Sequence, residues 1–202
     1  MGYDFSNAFG HLKSDKVMAF LIKKFGHKIT FDDRYDSNYS KAIANLIIEQ
    51  QVSFKAAIAI KKRFNKLIKN ISNQELLDLD LNKLKLIGIS SRKCEYIKNV
   101  YAYFKSSNFD FEIHNNQEII DELTKIKGIG SWTAKMFLMF VLFRENVFSS
   151  KDLAIINSIK QNYKFKEVDG IILDKLTTKW SPYNTIASLL LWKSIEEKIF
   201  YL

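Results

Sequence analysis

Apolar positions recur at helical spacing along most of this chain. "HLKSDKVMAFLIKKFG" reads as one amphipathic helix, with Ser14 as candidate N-cap and Gly26 as candidate stop. "FDDRYDSNYS" is polar and reads as a loop. "SKAIANLIIEQQVSFKAAIAIKKRF" carries a long helical pattern with a possible break near Gln51–Ser53. In "SNQELLDLD", Ser72 precedes Glu75 by three residues, the spacing of a capping box. Seven glycines and one proline in 202 residues leave few breakers. The pattern therefore predicts an all-α chain of roughly nine or ten helices at ordinary helix lengths.

Two segments share one design. "LKLIGISSRKCEYIKNVYAYF" and "LTKIKGIGSWTAKMFLMF", aligned on Gly88 and Gly128, each pass from an apolar helix end through a glycine turn into a new helix. In the second, Gly128 and Gly130 flank a single apolar residue, Ile129. Glycine permits positive φ and close approach of another backbone. A turn of this kind leaves N–H donors unpaired at the start of the next helix, where the helix dipole favours an anion such as phosphate. Ile129 would plug the turn into the core. Ser131 would open the helix, and Lys125, Lys127 and Lys135 would surround it with positive charge. A plain helix–turn–helix with a glycine cap is the simpler reading of G-x-G alone. The plug, the lysines and the Trp-Thr-Ala continuation favour contact with DNA.

Charge and cysteine count narrow the classes. Thirty-one basic against twenty-two acidic residues give a formal charge of +9, which suits a polyanionic partner. The longest apolar run, Met136–Phe143, is far shorter than the ~20 residues of a membrane span. Without a hydrophobic N-terminal signal, the expected location is intracellular: cytoplasm or nucleoid, or the nucleus in a eukaryote. The single cysteine, Cys94, excludes an intramolecular disulfide and a four-thiolate metal or iron–sulfur site within the chain. His11, His27 and His114 lack ligand spacing.

At this point the chain resembles the DNA-3-methyladenine glycosylase II family, within the helix-hairpin-helix glycosylases. "LTKIKGIGSWTAKMFL" is similar to the family's hairpin, and "NVFSSKDLAI" to its segment ending in an aspartate. "IANLIIEQQVSFKAA" resembles its Gln-Gln-x-Ser helix, "GISSRKCEYIKNV" its first hairpin and "WSPYNTIASLLLW" its C-terminal helix. The five occur in family order over roughly residues 10 to 195. The likeness is to the compact form, without the N-terminal β domain of longer bacterial members.

The resemblance implies two helical subdomains, about 41–142 with the hairpin and 1–40 plus 143–202, with the hairpin bordering an active-site cleft that accepts a flipped nucleotide. It implies that Asp152, 22 residues after Gly130, is the catalytic aspartate. Breaking an N-glycosidic bond builds positive charge on the deoxyribose, and a buried carboxylate stabilises it. An N-cap is the commonest reason for aspartate in such a place, and the two roles can coexist. Lys151 is a candidate phosphate contact.

Trp132 stands where related bifunctional enzymes carry a Schiff-base lysine. Tryptophan forms no Schiff base, so the expected reaction is hydrolysis to an abasic site. Its indole, with Trp192 and the weaker candidates Tyr183, Met136 and Gln51, would line a pocket for cationic alkylated purines such as 3-methyladenine and 7-methylguanine. Core packing is the alternative for each aromatic. A charged base departs without prior protonation, so no general acid is required.

No cofactor is expected. The resemblance implies at most a structural Na+ or K+ held by the main-chain carbonyls of Thr124, Ile126 and Ile129. The expected partner is double-stranded DNA containing damaged bases, with no membrane and a monomeric protein. Asn184 departs from the family's usual arginine and puts an ion pair or phosphate contact in doubt. Ser181 and Pro182 read as the N-cap and first residue of the following helix. The competing readings are a glycosylase/lyase for oxidised bases and a non-catalytic hairpin that only holds DNA.

Overall fold

The computed structural model describes residues 3–32 and 34–201. Among these, every regular element is a helix, and there are twelve: α1 Ser6–Leu12, α2 Lys16–Phe25, α3 Tyr39–Glu49, α4 Phe54–Leu67, α5 Asn73–Asp78, α6 Leu81–Leu86, α7 Ser91–Ser106, α8 Asn116–Thr124, α9 Ser131–Phe140, α10 Leu153–Tyr163, α11 Gly170–Trp180 and α12 Asn184–Glu197. The chain divides into two compact units, Met1–Asp33 with Phe143–Leu202, and Arg34–Leu142. Asp33, in the loop expected from the sequence, lies outside the described residues.

Each unit is organised around one helix buried nearly all round. In the unit Arg34–Leu142 this is α3, which buries Ile43, Ala44, Leu46, Ile47 and Ile48 in near succession and packs against α4, α7 and α9. A helix apolar on all faces belongs in a core rather than at a surface. In the other unit it is α12, buried from Asn184 through Leu191 and packed on α2, α10 and α11. The apolar stripe of α2, formed by Val17, Met18, Leu21, Ile22 and Phe25, covers one side of α12.

Three local expectations change. The segment 11–26 is not one helix: α1 ends at Leu12, and Asp15 rather than Ser14 caps α2, its Oδ1 accepting from Val17 N at 2.9 Å and Met18 N at 3.3 Å. The N–H groups of Ser14 and Asp15 both close the end of α1, donating to His11 O and Leu12 O. Ser181 caps the C-terminus of α11 instead of starting α12, the Ser181–Pro182 peptide is cis, and α12 begins at Asn184. The helix count exceeds nine or ten because α5 and α6 have six residues each, under two turns, too short for a periodicity. The break near Gln51–Ser53 is present: Gln51 has φ +53° and the Ser53 hydroxyl caps α4. The Ser72–Glu75 capping box is fully formed.

Candidate active site

The two glycine turns are built alike and finished differently. Gly88 has φ +98° and Gly128 φ +110°, a region that L side chains avoid. At Gly128 a Cβ would also lie 2.2 Å from Tyr96 Cγ, so glycine is required twice over. Ile129 is buried as expected of the plug, and Ile89 in the first turn is buried likewise. In the first turn the Ser90 hydroxyl faces the Lys93 N–H and caps α7. In the second the cap is Gly130, with no side chain to satisfy the first N–H groups of α9, and open space where its Cβ would be. The second turn alone therefore presents its helix start to an outside anion.

The surroundings of that turn are fixed by a residue far away in sequence. The Gln50 side-chain amide donates to Gly128 O at 3.2 Å and to Thr133 Oγ1 at 2.9 Å, joining the end of α3 to both sides of the hairpin. Lys93 supports the same place from α7, its ammonium donating to the carbonyls of Ile48 and Gln50. Burial pushes the Lys93 pKa below its usual value, with the Arg92 charge adding to the effect. Gln51, the pocket candidate, is exposed at the tip of this α3–α4 turn. Around the hairpin, Ser131 and Lys127 are exposed, Lys135 is half-buried, and Lys125 pairs with Glu122 at 2.7 Å. Trp132 is half-buried on the first turn of α9, and Met136 one turn later is wholly buried.

The aspartate site belongs to the other unit. Asp152 is the N-cap of α10 and only 8% exposed. Its Oδ1 accepts from Ala154 N at 3.0 Å, from Ile155 N at 3.1 Å and from the indole N–H of Trp192 at 3.2 Å. Helix cap and chemical candidate are thus one side chain. Trp192 comes from α12, and the register between α10 and α12 is set by buried polar groups. Ser158 and Ser194 share a 2.6 Å hydrogen bond, and Asn162 Nδ2 donates to Ser158 O at 2.9 Å and Ser194 Oγ at 3.1 Å. Sequence reasoning missed these three, although Ser158 and Asn162 at i, i+4 on an otherwise apolar face were a signal.

The segment leading to Asp152 is tied to the start of α12. Thr185 Oγ1 donates to Arg144 O at 2.6 Å and accepts from Val147 N at 3.1 Å. Asn184, where the family's arginine was expected, is buried, and its amide donates to Asn146 Oδ1 at 2.6 Å and Thr177 O at 3.1 Å. It serves as a neutral clamp within the unit. Tyr183 is half-buried with its ring 5.5 Å from that of His11 in an edge contact, and Lys151 is exposed beside Asp152.

A glycine turn that opens a helix to phosphate and a buried carboxylate capping a later helix, on an all-helical frame, define the helix-hairpin-helix class of base-excision proteins. Residues 44–182 match the HhH-GPD superfamily of base excision DNA repair proteins, and the chain belongs to it. It is 32% identical over 160 residues to DNA-3-methyladenine glycosylase 1 of Schizosaccharomyces pombe, covering 73% of this chain and 68% of that protein. The solved 3-methyladenine DNA glycosylase of that yeast, in complex with abasic DNA, has a TM-score of 0.83 at 28% identity, over 95% of this chain and 97% of that one. A DNA-3-methyladenine glycosidase from Bacillus halodurans gives a TM-score of 0.76 at 31% identity, over 98% and 94%. The chain spans about two thirds of the length of the curated relatives it matches.

Proposed function

We infer that this protein is a monofunctional DNA glycosylase of base excision repair, hydrolysing the N-glycosidic bond of alkylated purines in duplex DNA to leave an abasic site. The observation that carries the reading is the Asp152 carboxylate, buried at the head of α10 with two main-chain N–H groups and the Trp192 indole N–H on one oxygen. Such a carboxylate cannot wander, and its charge faces a deoxyribose that becomes electron-poor as the base leaves. Each indole, Trp132 in one unit and Trp192 in the other, offers a π face suited to a cationic base, and Gln51 and Tyr183 are further candidate contacts. Met136 supports α9 from within. The uncapped helix start at Gly130 and Ser131, with Lys127, Lys135 and Lys151, takes the phosphates of the damaged strand.

Neutral main-chain carbonyls at Thr124, Ile126 and Ile129 suit Na+ or K+. Ile126 O accepts the Ile129 N–H within the turn at 3.0 Å, and a carbonyl oxygen has two lone pairs. A cation there would stiffen the turn; the chemistry needs no cofactor. Acting on DNA places the protein in the compartment that holds the genome.

The test is chromatography of bases released from DNA treated with a methylating agent. Wild type releases 3-methyladenine or 7-methylguanine, and Asp152→Asn releases neither above background. Borohydride should trap no covalent adduct with the wild-type protein, because no lysine stands at position 132. Absence of base release by the wild type on every alkylated duplex sinks the reading.

A further inference from the structure

From Gln51 to Gln74 the chain holds six basic residues and no acidic one. Lys61 is spent on Glu49. The others form a pattern. At 3.6 residues per turn, Lys55, Lys62 and Lys66 fall within about 40° of one another around α4, and Lys69 extends the row just past the helix end. All four are exposed, opposite the face that buries Ala57, Phe64 and Ile68. Lys55 to Lys66 spans about 16 Å at 1.5 Å per residue. That is close to five phosphates of one DNA strand at about 3.4 Å each.

The row is continued by the first glycine turn. Arg63 Nε donates to Ile87 O at 2.8 Å and so fixes α4 beside that turn. There Lys85 of α6 and Arg92 of α7 are also exposed. Among the described residues, none of these cations takes part in an ion pair. A row of unpaired like charges repels itself on the free protein, and a polyanion of matching spacing relieves that repulsion by counterion release.

We propose that the lysine row of α4, prolonged by the first glycine turn, is a second DNA-backbone track, on different helices from the phosphate-binding hairpin α8–α9. It grips duplex DNA whatever its sequence or damage, and it contributes affinity and not chemistry. The proposal rests on the reading of the protein as DNA-acting, but not on its being a glycosylase.

The experiment compares wild type with the triple variant Lys62→Gln/Lys66→Gln/Lys69→Gln. A control triple, Lys23→Gln/Lys166→Gln/Lys175→Gln, removes the same net charge from exposed lysines of the other unit. Binding to an undamaged duplex is measured by fluorescence anisotropy across a salt series. Each phosphate contact contributes roughly 0.9 to the slope of log affinity against log salt, so the row variant should lose about 2.7 of slope. The control should lose well under 1. Single-turnover base release at saturating protein should stay at the wild-type rate.

A slope that is unchanged, or that falls no further than the control's, overturns the track. So does loss of binding to phosphatidylserine vesicles with the DNA slope intact, which would assign the row to a membrane surface. The expected slope change in a protein that releases no base would uphold the track and sink the glycosylase reading, which keeps the two failures apart.

Discussion

Asp152→Asn separates the two duties of one side chain. As a cap, Asp152 offers Oδ1 to Ala154 N, Ile155 N and the Trp192 indole at 3.0–3.2 Å. An asparagine keeps an oxygen in that position, and Asn and Asp are near equals as N-caps. The fold should notice little, with Tm within about 2 °C of wild type at 2–4 °C per kcal/mol for a chain of this size. The chemistry loses a full negative charge. A unit charge about 4 Å from the developing cation is worth roughly 4 kcal/mol at an effective dielectric constant near 20, about a thousandfold in rate. The assay is single-turnover release of 7-methylguanine from a defined duplex, with thermal melts alongside. Asp152→Ala is the reference for cap loss, costing about 1 kcal/mol and roughly 2–4 °C. An asparagine variant that keeps its rate within about threefold while the alanine variant melts early would show that Asp152 is only a cap.

Further outcomes follow from the structure. Gly128→Ala must tolerate positive φ and a Cβ 2.2 Å from Tyr96 Cγ, so it should cost about 2–5 kcal/mol. Gly130→Ala, with nothing near its Cβ, should stay within about 1 kcal/mol of wild type yet weaken binding to abasic DNA; equal melting of the two variants would refute this. Gln50→Ala removes two hydrogen bonds across the hairpin and should lower Tm by about 4–8 °C, roughly 1 kcal/mol per bond. Gln50→Glu, which cannot donate to Gly128 O, should not restore it. Finally, burial raises the pKa values of Tyr39, Tyr101, Tyr103 and Tyr163, that of Tyr103 to about 12. Stability from such groups is complete below pH 10 and is lost as pH climbs toward the folded-state values. Lys93, shifted down, opposes this with a single group. Urea midpoints should therefore fall as pH rises from 10 to 12, and less steeply in Tyr103→Phe; a flat profile contradicts the assignment.

What could be read from the sequence was what steric rules impose locally. Gly128 was legible because only glycine meets its φ, and the Ser72–Glu75 box because its spacing is the interaction itself. Asp152 was legible as a cap from its neighbours and as a chemical candidate only through resemblance. Gln50 was legible only as part of the Gln-Gln-x-Ser resemblance and not as a partner of Gly128, because a hydrogen bond across 78 residues leaves no trace in local pattern. The same holds for Ser158 with Ser194 and for Asn184, whose neutral clamp replaces an expected charge. Ser14 and Asp15 show the remaining difficulty. Both are good caps, and which one serves depends on the residue at which the backbone enters α2, where the Asp15 carboxylate reaches the Val17 and Met18 N–H groups.

The passage of the chain out of one unit and back into it has a consequence for biosynthesis. The apolar stripe of α2 leaves the ribosome about 160 residues before α12, which covers it. At 5–20 residues per second that interval is roughly 8–32 s. Meanwhile the unit Arg34–Leu142 has all its helices available and can close first. Until the last helix arrives, Val17, Leu21 and Phe25 form an uncovered greasy strip on the nascent chain, the place where a holding chaperone would find its grip.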